Sequence, residues 1–283
     1  MANYEKQWSS ANPGLLIILL DQSSSMIDEY CDGESKADFA TKAVNTVIDA
    51  IINSNYDGIK PKDRCFIALI GYSSTVEVAK SGLLSELANN PLKTVQVMKK
   101  VNDGTGSLVD KPHKMQLWIE PKCNGATNMT AAFNEAKKVI DEFVTKFPDA
   151  PAPVIINISD GAPYIGGDYM DHEAAKKAAQ SIMGISLEDG SPLIFNAHIE
   201  QGSFSVKFPA SLNEIPQDPE VRQNAQFLFE ISSPIPEAFR PAAEKKGLKV
   251  KENARGCMIG VDAVDLVKLI DFGSTKGLVD KKV

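Results

Sequence analysis

The side chains able to do chemistry fall in three short pieces far apart in the chain: Asp21-Gln22-Ser23-Ser24-Ser25, Gly125-Ala126-Thr127 and Ser159-Asp160-Gly161. All of them offer oxygen. Asp21, Ser23 and Ser25 alternate, and alternate residues of an extended segment face the same way, so their oxygens can converge. With Thr127 and Asp160 they make two carboxylates and three hydroxyls. Such a hard, oxygen-only set suits Mg2+, Mn2+ or Ca2+ better than zinc. Gly161 permits the tight turn that would present Asp160.

These pieces need elements to carry them. Gly14–Asp21 (GLLIILLD) is an unbroken apolar run that ends on an acid, which predicts a strand buried on both faces. Val154–Ser159 (VIINIS) has the same form. In open α/β sheets, ligands bind just past the carboxyl ends of such strands. Further strands are expected at Cys65–Tyr72, at Leu193–Ile199 and, as a last strand, at Phe227–Ile231. Thr75–Ala79 is expected to pair at an edge.

Helices are expected from Ser35 to near Asn53, from Thr127 or Asn128 to Phe147, from Asp171 to Met183, and from Asp262 to near Phe272. A short helix is read at Leu83–Ala88, followed by a second helical piece reaching Val101. Residues 102–122 read as a loop or hairpin, with a short strand at Leu117–Glu120. The alternation of strand and helix predicts one three-layer α/β domain. Its central sheet is mainly parallel, with one antiparallel edge strand and helices on both faces. Residues 1–13 read as a polar lead-in, 14–272 as the domain and 273–283 as a tail. Residues 200–226 form an insert-like loop on the face that holds the oxygens.

Composition narrows the function. The 283 residues are 43% hydrophobic and 24% charged, with a net charge of −7. That balance is of an ordinary globular chain and argues against nucleic acid or an anionic membrane as partner. The longest apolar run, Leu15–Leu20, is far short of the about 20 residues that span a bilayer. The first residues lack the apolar centre of a secretory signal. Cys31, Cys65, Cys123 and Cys257 are scattered without ligand spacing, which reads as four free thiols in a cytoplasmic protein, with two disulfides as the alternative.

Three enzymatic readings fit poorly. A serine hydrolase needs a histidine beside its serine, and no GxSxG elbow exists. His198 reads as a polar residue at a strand end, and His113 and His172 as solvated. A magnesium-dependent phosphohydrolase using Asp21 is the main alternative, but Ser23 stands where its second acid would be needed. A nucleotide site would want GxGxxG or a P-loop, whereas Asp28, Glu29 and Asp32 would repel phosphate.

Asp21-x-Ser23-x-Ser25, with a distant Thr127 and a distant Asp160, resembles the metal-ion-dependent adhesion site of von Willebrand factor A domains. The resemblance runs from about Gly14 to Ile231, and Met26, GATNMTAAF and ISDG fit its flavour. It implies a Rossmann-like fold and a divalent cation, Mg2+ or else Mn2+ or Ca2+. Asp21, Ser23, Ser25, Thr127 and Asp160 would ring that ion directly or through water. It further implies a non-enzymatic, metal-dependent protein-interaction module whose partner supplies an Asp or Glu to the ion. The chain looks more like the bacterial stand-alone domains of tellurium-resistance-type operons, which are associated with kinase and phosphatase partners, than like an integrin insert. The loops 26–34, 161–170 and 200–226 would share the face of the ion. The last, with Phe204, Phe208 and Ile215, reads either as a packed surface loop or as a partner-selecting lip, and Tyr164 and Tyr169 either as loop anchors or as part of that rim. Residues 233–283 would include the last helix, whose displacement in some members of the family couples to the state of the site.

Overall fold

In the computed structural model, residues 4–31, 33–102, 107–161, 163–166, 169–200 and 204–275 are described. The central sheet has seven strands: β1 (Gly14–Asp21), β2 (Cys65–Tyr72), β3 (Val76–Leu83), β4 (Val154–Ser159), β5 (Leu193–His198), β6 (Val206–Lys207) and β7 (Cys257–Ile259). Their spatial order is β6-β7-β5-β4-β1-β2-β3. The inner pairs β1/β2, β1/β4, β4/β5 and β5/β7 are parallel. Both edges are antiparallel, β3 on β2 and β6 on β7. The expected edge strand is therefore present, and a second lies inside the 200–226 stretch.

Among the described residues the α-helices are α1 (Lys36–Ser54), α2 (Leu84–Asn89), α3 (Met129–Lys146), α4 (His172–Met183), α5 (Pro219–Glu230), α6 (Arg240–Lys245) and α7 (Ala263–Thr275). β1 shows why its run is apolar throughout. Leu16, Ile18 and Leu20 pack into one core with α1 and α7, while Leu15, Ile17 and Leu19 pack into the other with α3, α4 and α5. A strand with a helical layer on each face has no polar side to show. At α1, Ser35 caps the helix by accepting a bond from the Asp38 N–H at 3.1 Å.

Three expectations are corrected. The helical piece up to Val101 is instead the strand Lys93–Asn102, paired antiparallel with Leu108–Leu117 in a hairpin outside the main sheet. Its alternation of Val95 and Val97 with Thr94 and Gln96 was the strand signal. The strand expected at Leu117–Glu120 is only the end of that hairpin, where Trp118 and Ile119 sink into the core. Phe227–Ile231 is the carboxyl end of α5 and the residue after it. Its apolar run comes from burial of Phe227, Leu228 and Phe229 in the core shared with α3 and α4. The last strand is Cys257–Ile259, too short to be seen in a weakly patterned segment.

The first residues are also anchored. Trp8 is buried, and a Cβ on Gly14 would lie 2.0 Å from its ring, so β1 begins with glycine because the indole lies against it. The Lys6 N–H donates to Asp189 Oδ1 at 2.9 Å.

Candidate functional site

β1 ends on Asp21, and β4 ends on Ser159 with Asp160 next in the chain. The two strands are parallel neighbours in register, Leu20 opposite Ile158, so both turns leave the sheet side by side. Asp21 joins them. Its Oδ1 accepts the Ser23 N–H at 2.9 Å and its Oδ2 accepts the Ser159 hydroxyl at 2.7 Å. Ser159 Oγ in turn accepts the Gly161 N–H at 3.1 Å. Asp21 is 1% exposed. Burial, and then the negative charge of Asp160, hold its carboxyl well above the usual carboxylate range.

The third piece is tied to the first by backbone bonds. The Asn124 N–H donates to Gln22 O at 2.9 Å and the Ser24 N–H to Gly125 O at 3.0 Å. Gly125 has φ +73°, and a Cβ there would lie 2.4 Å from Ser74 Oγ, so glycine is required for both reasons. Thr127 then exchanges two backbone bonds with Tyr164, which fixes the loop after β4 against it. Asn128 caps α3 through the Ala131 N–H.

The result is a cleft of about 540 Å3 at the carboxyl end of the sheet. Ser23, Ser25, Thr127 and Asp160 line it, and Asp21 lies just beneath. Ser23 Oγ and Ser25 Oγ are 3.2 Å apart. Among the described residues, no three or more His, Cys, Asp or Glu cluster in a way that could hold a metal. What converges here is the two-carboxylate, three-hydroxyl set.

The main residue that sequence reasoning missed is Lys36, the first residue of α1. It is 5% exposed and lines the cleft. Its Nζ lies 3.3 Å from Asp160 Oδ2, 3.7 Å from Glu200 Oε2 and 3.8 Å from Asp28 Oδ2. For so buried a pair, desolvation cancels much of the Coulomb gain, but removing one partner costs about 3–5 kcal/mol. A signal did exist. Lys36 falls on the apolar stripe of α1, in step with Ala40 and Val44, where a solvated lysine has no place.

His198 ends β5 as expected and is not poised as a base. Its Nε2 lies 3.2 Å from Asp160 O, and the ring is fully buried. Burial pushes its imidazole down to about 4, the bond to Asp160 opposing and the Lys36 charge adding. It is neutral at pH 7 and steadies the Asp160 turn. His172 departs from expectation, with its ring 4.8 Å from that of Phe227. His113 is exposed on the outer hairpin.

The expected partner-selecting loops divide. Tyr164 and Met170 line the cleft and are 38% and 51% exposed. The side chain of Tyr169, along with residues 162, 167 and 168, lies outside the described residues. In the 200–226 stretch, Phe208 and Ile215 are buried in the two cores and cannot meet a partner. This stretch gives the cleft polar residues instead, Glu200 and Asn224.

No family model and no curated protein matches the sequence. In structure the chain is similar to the pilus adhesin SpaC from Lactobacillus rhamnosus GG. The TM-score is 0.53 at 12% identity, over 96% of this chain and 31% of that one. The likeness is one of fold, and this chain spans under a third of SpaC. The von Willebrand factor domain of the pili tip protein Mfa5 from Porphyromonas gingivalis also aligns, with TM-score 0.32 and 15% identity over 54% of this chain and 39% of that one. So does the manganese-loaded TRAP protein of Plasmodium vivax, with TM-score 0.35 and 17% identity over 68% of this chain and 59% of that one. Those two scores are too low to bear on the argument. The molecule is thus a mainly parallel α/β fold of the kind seen in part of a pilus adhesin.

Proposed function

We propose that the chain is a protein-interaction module of the von Willebrand factor A type. It holds Mg2+, or Mn2+ or Ca2+, through Asp21, Ser23, Ser25, Thr127 and Asp160, and takes an Asp or Glu of a partner protein onto the ion. The observation that carries this is the meeting of three sequence-distant oxygen loops at one cleft. The donor set fits a hard divalent ion. Its five oxygen side chains fall short of the six ligands such an ion prefers. When bound, the ion would supply a Lewis-acid position for an oxygen from outside.

The chain's own residues prepare that capture. Asp21 braces both turns from below, with each of its oxygens already accepting a bond. That burial suits a holder of an ion and leaves it poorly placed as a phosphohydrolase nucleophile. Tyr164 and Met170 give the rim apolar surface, which suits a partner carboxylate flanked by apolar side chains. Among the described residues no helix is long and apolar enough to cross a membrane. A cytoplasmic setting and kinase- or phosphatase-associated partners are the finer form of the same proposal.

Titration calorimetry tests it. Mg2+ or Mn2+ is expected to bind one site, and Asp21→Ala to weaken binding about 100-fold or more. A partner retained by the wild type in Mg2+ is expected to leave in EDTA. Unaltered ion binding in Asp21→Ala would remove the basis of the proposal.

A further inference from the structure

Lys36 is an unusual residue to find where it is. The first position of an α-helix sits at the positive end of the helix dipole, where a cation is disfavoured. Burial at 5% exposure disfavours it again. What offsets both is a ring of carboxylates drawn from three separate segments: Asp28 before α1, Asp160 after β4 and Glu200 after β5. Of the three, only Asp160 is as buried as the lysine, with side chains 7% and 6% exposed. Asp160 is also an expected ligand of the ion.

We propose that Lys36 is a fixed cation that shares Asp160 with the divalent ion and thereby sets the affinity of the site. The inference rests on the metal-binding reading above and deepens it. In the chain without metal, the ammonium neutralises Asp160 through Oδ2 and keeps its turn beside that of Asp21, whose charge would otherwise repel it. When the ion binds, it must compete with that ammonium for Asp160 and lie close to a like charge. Asp28 and Glu200, both within 4 Å of the ammonium, hold it as Asp160 turns to the ion. Lys36 thus weakens metal binding while stabilising the metal-free fold. A partner carboxylate arriving at the cleft meets the ion and the lysine together.

The test compares wild type, Lys36→Met and Lys36→Arg by calorimetric titration with Mg2+, and by thermal melting in EDTA and in saturating Mg2+. Lys36→Met is expected to bind Mg2+ about tenfold more tightly. It should melt lower than wild type in EDTA, with the gap closing or reversing in Mg2+. Lys36→Arg, which keeps the charge, is expected to stay within about threefold of wild type. If Lys36→Met folds only with the ion, its Mg2+ titration of folding should show the same tightening. Affinity in Lys36→Met equal to or weaker than wild type overturns the inference while leaving the metal site standing. Failure of Lys36→Met to fold even in saturating Mg2+ overturns it too. Absence of Mg2+ binding in wild type and in both variants overturns this inference and the metal reading together.

Discussion

The strands of the sheet run between two clefts that differ in kind. The larger, about 720 Å3, lies at the amino end of β5 and is walled by Tyr4, Ser191, Pro192, Leu193, Pro234 and Pro236. The smaller, about 540 Å3, lies at the carboxyl end over Asp21 and Asp160. Proline and the turn before β5 shape the first, and among the described residues that line it the charged ones, Glu5 and Glu237, are exposed. The second holds a buried lysine, the buried carboxylate of Asp160 with that of Asp21 beneath it, and the hydroxyls of Ser23, Ser25 and Thr127 from two loops. Volume therefore does not mark the proposed site in this molecule. Charge held out of water does, because the fold bears its cost only where oppositely charged or metal-binding groups converge.

If the amino end serves the fold and the carboxyl end serves the ligand, damage at each should show in a different measurement. The largest expected effect is at the amino end. Trp8 is 4% exposed and lies against Gly14 at the start of β1. Trp8→Ala should cost about 3–5 kcal/mol in urea unfolding. Mg2+ affinity, measured by calorimetry on the folded fraction, should stay at the wild-type value. Weaker ion binding in this variant would join the two ends and break the comparison.

The same division governs what could be read from sequence. β1, β4 and the oxygen-bearing residues that end them were legible because a strand with helices on both faces is apolar throughout, and polar residues at its end then stand out. Their meeting at one cleft depends on β1 and β4 being parallel neighbours, and while the alternating pattern implies a parallel sheet, the strand order comes only from the fold. Less legible was anything decided by tertiary contact. Phe227–Phe229 read as a strand because burial on all sides at the end of α5 erases the helical period. Cys257–Ile259 is a strand only through its neighbours β5 and β6. Lys36 carries no motif, and its role comes from acids 8, 124 and 164 positions away that only the fold brings near, as the ion-pair partners Asp28, Asp160 and Glu200 show. Trp8 stands in a polar segment and packs on a bare glycine, so no local pattern marks it as buried.

A second, smaller effect separates the ends by pH. His198 sits at the carboxyl end with its imidazole pushed from 6.5 down to about 4. A depressed folded value means that this group's stability is whole above about 6.5 and is lost as pH falls toward 4. From pH 7 to pH 5 the wild type should lose about 2 kcal/mol relative to His198→Gln, which cannot take up the proton. The raised carboxyl of Asp21 has the opposite sense in the absence of the ion, with stability present at low pH and lost as pH rises. Taking the difference between wild type and variant in EDTA cancels that contribution. Urea unfolding at the two pH values checks it. A variant that keeps the full acid sensitivity would place its source elsewhere, the amino end included.

The finest cut falls between two loops of the carboxyl end itself. Gly125 holds φ +73° and has no room for a Cβ beside Ser74 Oγ, yet its carbonyl accepts the bond from Ser24 that ties the Thr127 loop to the Ser23–Ser25 turn. Gly125→Ala should cost only about 1–2 kcal/mol of stability, since the strain is local and exposed loops can relax. The same shift moves Thr127 away from Ser23 and Ser25, and ion ligands tolerate little displacement, so Mg2+ affinity should fall about tenfold. Read together with Trp8→Ala, the signature is crossed: a large loss of stability with affinity intact at one end, a small loss of stability with affinity impaired at the other. Calorimetry on Gly125→Ala that returned wild-type affinity would mean that Thr127 is not needed to hold the ion. The site would then contract to the Asp21 and Asp160 turns, which Ser159 already joins.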